Sequence, residues 1–73
     1  MPKLYSSRQI ENVLYRMGFY FVSQKGSHAK FRKGGNESLT VILPMARKEI
    51  PMGTFRSILR QANIPENEFR DLV

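Results

Sequence analysis

The sequence has no cysteine, no tryptophan, one histidine and only six acidic residues among 73. Without cysteine there is no disulfide framework and no thiolate zinc site. A single imidazole also excludes the usual His-rich zinc sets. The six carboxylates are Glu11, Glu37, Glu49, Glu66, Glu68 and Asp71. They do not form the closely grouped set that a two-metal nuclease needs, so neither a metal nor any other cofactor is expected. No apolar run approaches the ~18 residues of a membrane span. Met1-Pro2-Lys3 leads into a polar helix start rather than an apolar stretch, so no signal peptide is expected. These absences point to a cytoplasmic protein that does not engage a membrane.

What is present is positive charge. Twelve Lys/Arg against six Asp/Glu give a formal net charge of +6. On so small a surface that field draws in polyanions. Nucleic acid is the first candidate, an acidic protein partner the second and an anionic membrane the third. The length predicts one domain over residues 1–73. A chain of this size buries only about 60% of its unfolded surface, so its stability is marginal. Five Phe, three Tyr and scattered aliphatic residues must supply the whole core.

The pattern along the chain predicts helix, strand, strand, strand, helix. Ser6-Ser7-Arg8-Gln9 reads as a capping box, with Tyr5 and Ile10 placed for a hydrophobic staple. Ile10, Val13, Leu14 and Met17 then form one apolar stripe, and Gly18 ends a helix over roughly 7–17. Residues 19–24, aromatic and β-branched, read as the first strand. Lys25-Gly26 is a turn. From Ser27 to Lys33 the chain alternates: Ser27, Ala29 and Phe31 share one face, while His28, Lys30 and Arg32 share the other. A strand that buries Phe31 must therefore expose His28. Gly34-Gly35-Asn36 is a hairpin loop and 38–43 a third strand, ended by Pro44. Residues 44–53 form a long loop carrying Arg47 and Lys48. Thr54 is expected to cap a second helix over roughly 55–62, with Asn63 as its left-handed terminus. Pro65 opens a short acidic segment in which Phe69 and Leu72 dock as a final helical turn or two. The expected fold is α+β: a three-stranded antiparallel sheet with two helices on one face and the other face open.

His28 is the side chain best suited to proton transfer, since an imidazole ordinarily titrates near ~6.5. Metal-free RNA cleavage needs a base for the 2′-hydroxyl, an acid for the leaving 5′-oxygen and cations for charge on the phosphorane. His28 meets the first need, and Lys25, Lys30 and Arg32 meet the third. As a strand neighbour of His28, Ser27 is expected to face away and not to form a nucleophile–base pair with it. Gly26 is a turn glycine that also lets a phosphate approach the backbone. Gly53-Thr54 is a cap, or an anion site at a helix start. Tyr20 either covers the open face or stacks on a base there.

Gly26-Ser27-His28 followed by Phe31 resembles the strand motif of the HicA toxin family. Met17-Gly18-Phe19 with Gln24-Lys25-Gly26 resembles its helix-to-strand junction. Val41-Ile42-Leu43-Pro44 and then Ile50 to Ala62 resemble its strand–loop–helix segment. The resemblance runs from about Ser6 to Phe69. It implies a double-stranded-RNA-binding-domain-like fold, which the predicted element order matches. It further implies a metal-independent mRNA endonuclease with one catalytic histidine, here His28, and a HicB antitoxin that binds and blocks the toxin. Members often carry a second histidine after the proline that ends the third strand; here Pro44-Met45-Ala46-Arg47 has none. The expected RNA contacts are Lys25, Gly26, Ser27, Lys30, Arg32, Lys33, Arg47 and Lys48. The alternative is an RNA-binding module without catalysis, using the same residues.

Overall fold

A computed structural model describes residues 3–36 and 38–73. Glu37 and the Met1-Pro2 start, on which the leader expectation rests, lie outside the described residues. The capping box forms at the start of the first helix, α1 (Ser7–Arg16). Ser6 Oγ accepts from the Gln9 amide at 3.1 Å, and Gln9 Oε1 accepts from the Ser6 amide at 2.9 Å. Its apolar stripe buries Ile10, Val13 and Leu14. Gly18 then takes φ +93°, a conformation open to glycine at little cost, and the Phe19 amide closes back onto the Leu14 carbonyl at 2.9 Å. Phe19 thus belongs to the helix terminus, where it is buried. Strand β1 (Tyr20–Lys25) starts one residue later than its composition suggests.

β2 (His28–Lys33) and β3 (Leu39–Pro44) complete an antiparallel sheet of order β1-β2-β3. Ala29, Phe31, Val41 and Leu43 line its inner face and are fully buried. The second helix, α2 (Met52–Ala62), begins before the position expected from Thr54. Pro51 occupies the cap position with φ −56°, and its carbonyl accepts from the Phe55 amide at 2.9 Å. Proline loses nothing at a helix start, where its missing N–H would have no partner, so the helix nucleates at Pro51 and Thr54 falls inside the first turn. Asn63 is left-handed at φ 57°, and the Ile64 and Asn63 amides return to Leu59 and Arg60 in a Schellman closure. Pro65 starts α3 (Glu66–Leu72) in the same way.

The helices cover one face of the sheet. Tyr5, Phe55 and Phe69 meet in an aromatic trio with centroids 4.9 to 5.3 Å apart, tying α2 and α3 to the segment before α1. α2 lies over β3, and the Gln61 side chain accepts from the Ile42 amide at 3.0 Å, closing the β3 edge. β1 overhangs this layer, and all six of its residues are exposed. The observed fold is the expected α+β arrangement with its open sheet face. Among the described residues no helix is long and apolar enough to cross a membrane.

Candidate nucleic-acid interface

The hairpin between β1 and β2 positions the histidine. Gly26 has φ +59° and Ser27 does not share the positive value, the pattern of a type II′ turn. That two-residue turn sets Lys25 directly opposite His28. Directly paired residues project to the same side of a sheet. On β2's other flank, His28 stands opposite Pro44. The register continues along the strand: Lys30 pairs with Ser23 and Ile42, and Arg32 with Tyr20 and Thr40.

The open face therefore carries Lys25, His28, Lys30 and Arg32 together. Along β2 the three side chains from His28 to Arg32 recur every ~7 Å, twice the rise of one residue. Tyr20, more than half exposed, lies on the same face beside Arg32. A β-bulge between Phe21 and Ser23 absorbs one residue of β1. Without it, every residue from Ser23 to Lys25 would change faces, and Lys25 would leave the histidine.

Lys33 is not part of this group. It pairs with Leu39 on the helix side, and its Nζ lies 5.9 Å from the centre of the Phe19 ring. Its aliphatic stem runs beside Gly18 at the helix-to-strand junction.

Ser27 lies closer to His28 than the alternation of β2 implies. It sits in the turn, where strand periodicity does not apply, and its Oγ is 3.5 Å from His28 Nδ1. That is a long approach for a hydroxyl–imidazole bond, whose O···N separation when well formed is ~2.7–3.0 Å. The expectation that Ser27 faces away from His28 is thus corrected.

The segment from 45 to 51 is held in place against the hairpin and α1. The Met45 amide donates to the Ser27 carbonyl at 2.7 Å, fixing the loop beside the histidine. Ser7 grips it from the other side. Its hydroxyl donates to the Pro44 carbonyl at 2.6 Å and accepts from the Arg47 amide at 3.0 Å. The Ser7 amide also donates to the Arg47 carbonyl at 3.0 Å. Between these anchors Ala46 takes φ +60°, an uncommon value for a residue with a Cβ. Further on, the Ile50 amide donates to the Tyr5 carbonyl at 2.8 Å. Arg47 and Lys48 are exposed on this loop.

Ser7 is the positioning residue that sequence reasoning missed. It is the one buried polar side chain among the described residues, 3% exposed, and its only sequence signal is an extra serine beside the cap. Among the described residues no three acidic or imidazole side chains gather as a metal-ligand set. The site offers one imidazole, an adjacent hydroxyl and a surrounding set of cations on an accessible face.

A search of curated proteins matched none. The family model described as the HicA toxin of bacterial toxin–antitoxin systems matches residues 7–64. The match begins at the serine that clamps the loop and ends at the isoleucine that closes α2. It takes in the Gly26-Ser27-His28 hairpin and the whole open sheet. The chain belongs to the HicA toxin family, the toxins of bacterial toxin–antitoxin systems.

Proposed function

We propose that this chain is one HicA-like domain over residues 1–73, acting in the cytoplasm as an endoribonuclease that cleaves mRNA without a metal. His28 is its catalytic histidine. The observation that carries this reading is the register of the first hairpin, which sets Lys25 against His28 and lines up Lys30 and Arg32 behind it. RNA crosses the open face, held by Lys25, Lys30 and Arg32, with the Gly26-Ser27 turn at one end and Arg47 and Lys48 beside it.

His28 takes the proton from a 2′-hydroxyl. The 2′-oxygen forms a bond to the adjacent phosphorus, and the bond from phosphorus to the 5′-oxygen breaks. The 5′-oxygen leaves with a proton supplied by an ammonium or by water. Lys25 and Lys30 are the ammonium donors nearest in register, and they and Arg32 also balance the charge on the phosphorane. Ser27 Oγ, beside Nδ1, helps orient the ring. A HicB-type antitoxin blocks this face when bound.

His28→Ala is expected to reduce cleavage by ~10²–10⁴-fold and to abolish toxicity on induction, with an unchanged circular dichroism spectrum. A folded His28→Ala protein that cuts as fast as the parent would refute the assignment. Activity is expected to persist in excess EDTA, and loss on chelation would indicate a metal nuclease instead.

The second reading is an RNA-binding module without chemistry. It is favoured by Met45 and Ala46, which stand where relatives often place a second histidine. The two readings separate on one gel: a labelled transcript acquires new 5′ ends under the first and only protection under the second. Co-expression with the adjacent reading frame tests the antitoxin, which must both bind the toxin and suppress its toxicity.

A further inference from the structure

The clamp at Ser7 builds more than a support for the loop. The N-terminal turn of α1 and the 45–51 loop enclose a groove of about 420 Å³, lined by Ser6, Ser7, Arg8, Met45, Arg47 and Lys48, with Glu11 and Ala46 completing it. Arg8, Arg47 and Lys48 are exposed, and none has an ion-pair partner among the described residues. The one carboxylate on its wall, Glu11, accepts a hydrogen bond from the Tyr15 hydroxyl at 3.0 Å. Another groove of similar size, about 390 Å³ between α2 and α3, differs in kind: its Arg56 lies 3.6 Å from Glu66.

We propose that the groove between α1 and the 45–51 loop is a second RNA-backbone site, taking phosphodiesters beyond the cleavage point through Arg8, Arg47 and Lys48. It rests on the reading of this protein as an RNA-cutting enzyme, and it extends that reading off the sheet. The path is continuous. Pro44 stands opposite His28, and Arg47 follows after three residues, at most ~11 Å of chain. The strand leaves the open face at the His28 end and turns over the loop toward α1. Arg47 is held where the strand passes because Ser7 bonds both its amide and its carbonyl. Arg8 enters from the helix, so two separate elements contribute charge to one groove. The phosphate backbone is the chemistry that Arg8, Arg47 and Lys48, none of them ion-paired among the described residues, recognise in a shallow channel.

The test uses the full chain in a His28→Ala background, so that binding is read without cleavage. Affinity for a long labelled single-stranded RNA is measured by fluorescence anisotropy across a salt series. Arg8→Glu and Arg16→Glu change the net charge equally, but Arg16 lies about 12 Å further along α1 at its far end. Arg8→Glu is expected to weaken binding about tenfold and to lower the salt slope by about 0.7, the value of one single-strand phosphate contact. Arg16→Glu is expected to cost far less. Glu11→Gln is expected to strengthen binding. Equal losses for Arg8→Glu and Arg16→Glu would show a general field and overturn the groove, as would no RNA binding at all. Ser7→Ala, which changes no charge, is expected to weaken long-RNA binding through loss of the clamp, and Ser7→Thr to restore part of it. If Ser7→Ala fails to fold, the paired arginine variants still decide. Failure of the parent protein to cut RNA, with this binding pattern intact, would sink the enzymatic reading and leave the groove standing.

Discussion

At the scale of single residues, position in the pleat separates lysines that look alike in the chain. Lys30 and Lys33 both sit in β2, three residues apart, and the odd spacing puts them on opposite faces. Lys30 shares its face with His28, whereas Lys33 lies over Phe19. Lys30→Ala is therefore expected to cost more RNA affinity than Lys33→Ala, as read by equilibrium binding at low salt. The reverse order would place the RNA elsewhere. Phe31 marks the other side of the same alternation. It is fully buried, with Tyr15 and Phe21 edge-on at 5.8 and 5.9 Å. Phe31→Ala is expected to cost about 3–5 kcal/mol, enough to leave so small a domain largely unfolded in thermal or urea melts. Both consequences follow from period-two geometry, which is why His28 could be assigned to the accessible side from residue order alone.

At the scale of elements, turns decide which face each side chain takes. The positive φ of Gly26 makes the two-residue turn, and that turn sets Lys25 against His28. Gly26→Ala forces a Cβ into φ +59° and is expected to cost about 1 kcal/mol, or roughly 4–8 °C in melting temperature. No side chain crowds this position, so backbone strain is the main cost. An unchanged melting temperature would mean that the turn can relax to another type. The Schellman closure at Asn63 was legible because asparagine tolerates the left-handed region and Ile64 has an apolar site to fill. The start of α2 was not equally legible. Threonine is a favoured cap, but Pro51 already supplies the fixed φ and the carbonyl that begin a helix, and an earlier start adds backbone bonds. The third helix was visible only as a possible last turn or two, because seven residues carry little periodicity; docking of Phe69 against Tyr5 and Phe55 makes it part of the core.

At the scale of the whole molecule, charge and sheet face act together. The chain carries +6 overall, and among the described residues the helices lie on one side of the sheet and leave the other open. RNA binding by Lys25, Lys30, Arg32, Arg47 and Lys48, with Arg8 as a sixth contact, predicts a log–log salt slope of about −4, at about 0.7 per single-strand phosphate neutralised. No measurable RNA binding at low salt would argue instead for an acidic protein as the partner of this charge. An antitoxin that covers this face should also compete with RNA, so titrating a co-purified partner into the RNA complex should release the RNA stoichiometrically.

Composition and periodicity by themselves determined much of this protein. They set the order of elements, the apolar faces of α1 and β2, the exposure of His28 and the absence of thiols. These are local properties, settled by the spacing of side chains along a helix or strand. Only the tertiary structure decided which exposed groups meet. The bulge in β1 and the Gly26-Ser27 turn put Lys25 with the histidine, the turn brought Ser27 Oγ to 3.5 Å of Nδ1, and packing set the Lys33 ammonium beside the Phe19 ring. Ser7 shows the difference most clearly. Next to a capping serine it carries no distinguishing local signal, yet it binds Pro44 and Arg47, thirty-seven and forty residues away in the chain. A hydrogen bond across that separation depends on how α1 packs against the end of β3, and no local periodicity encodes it.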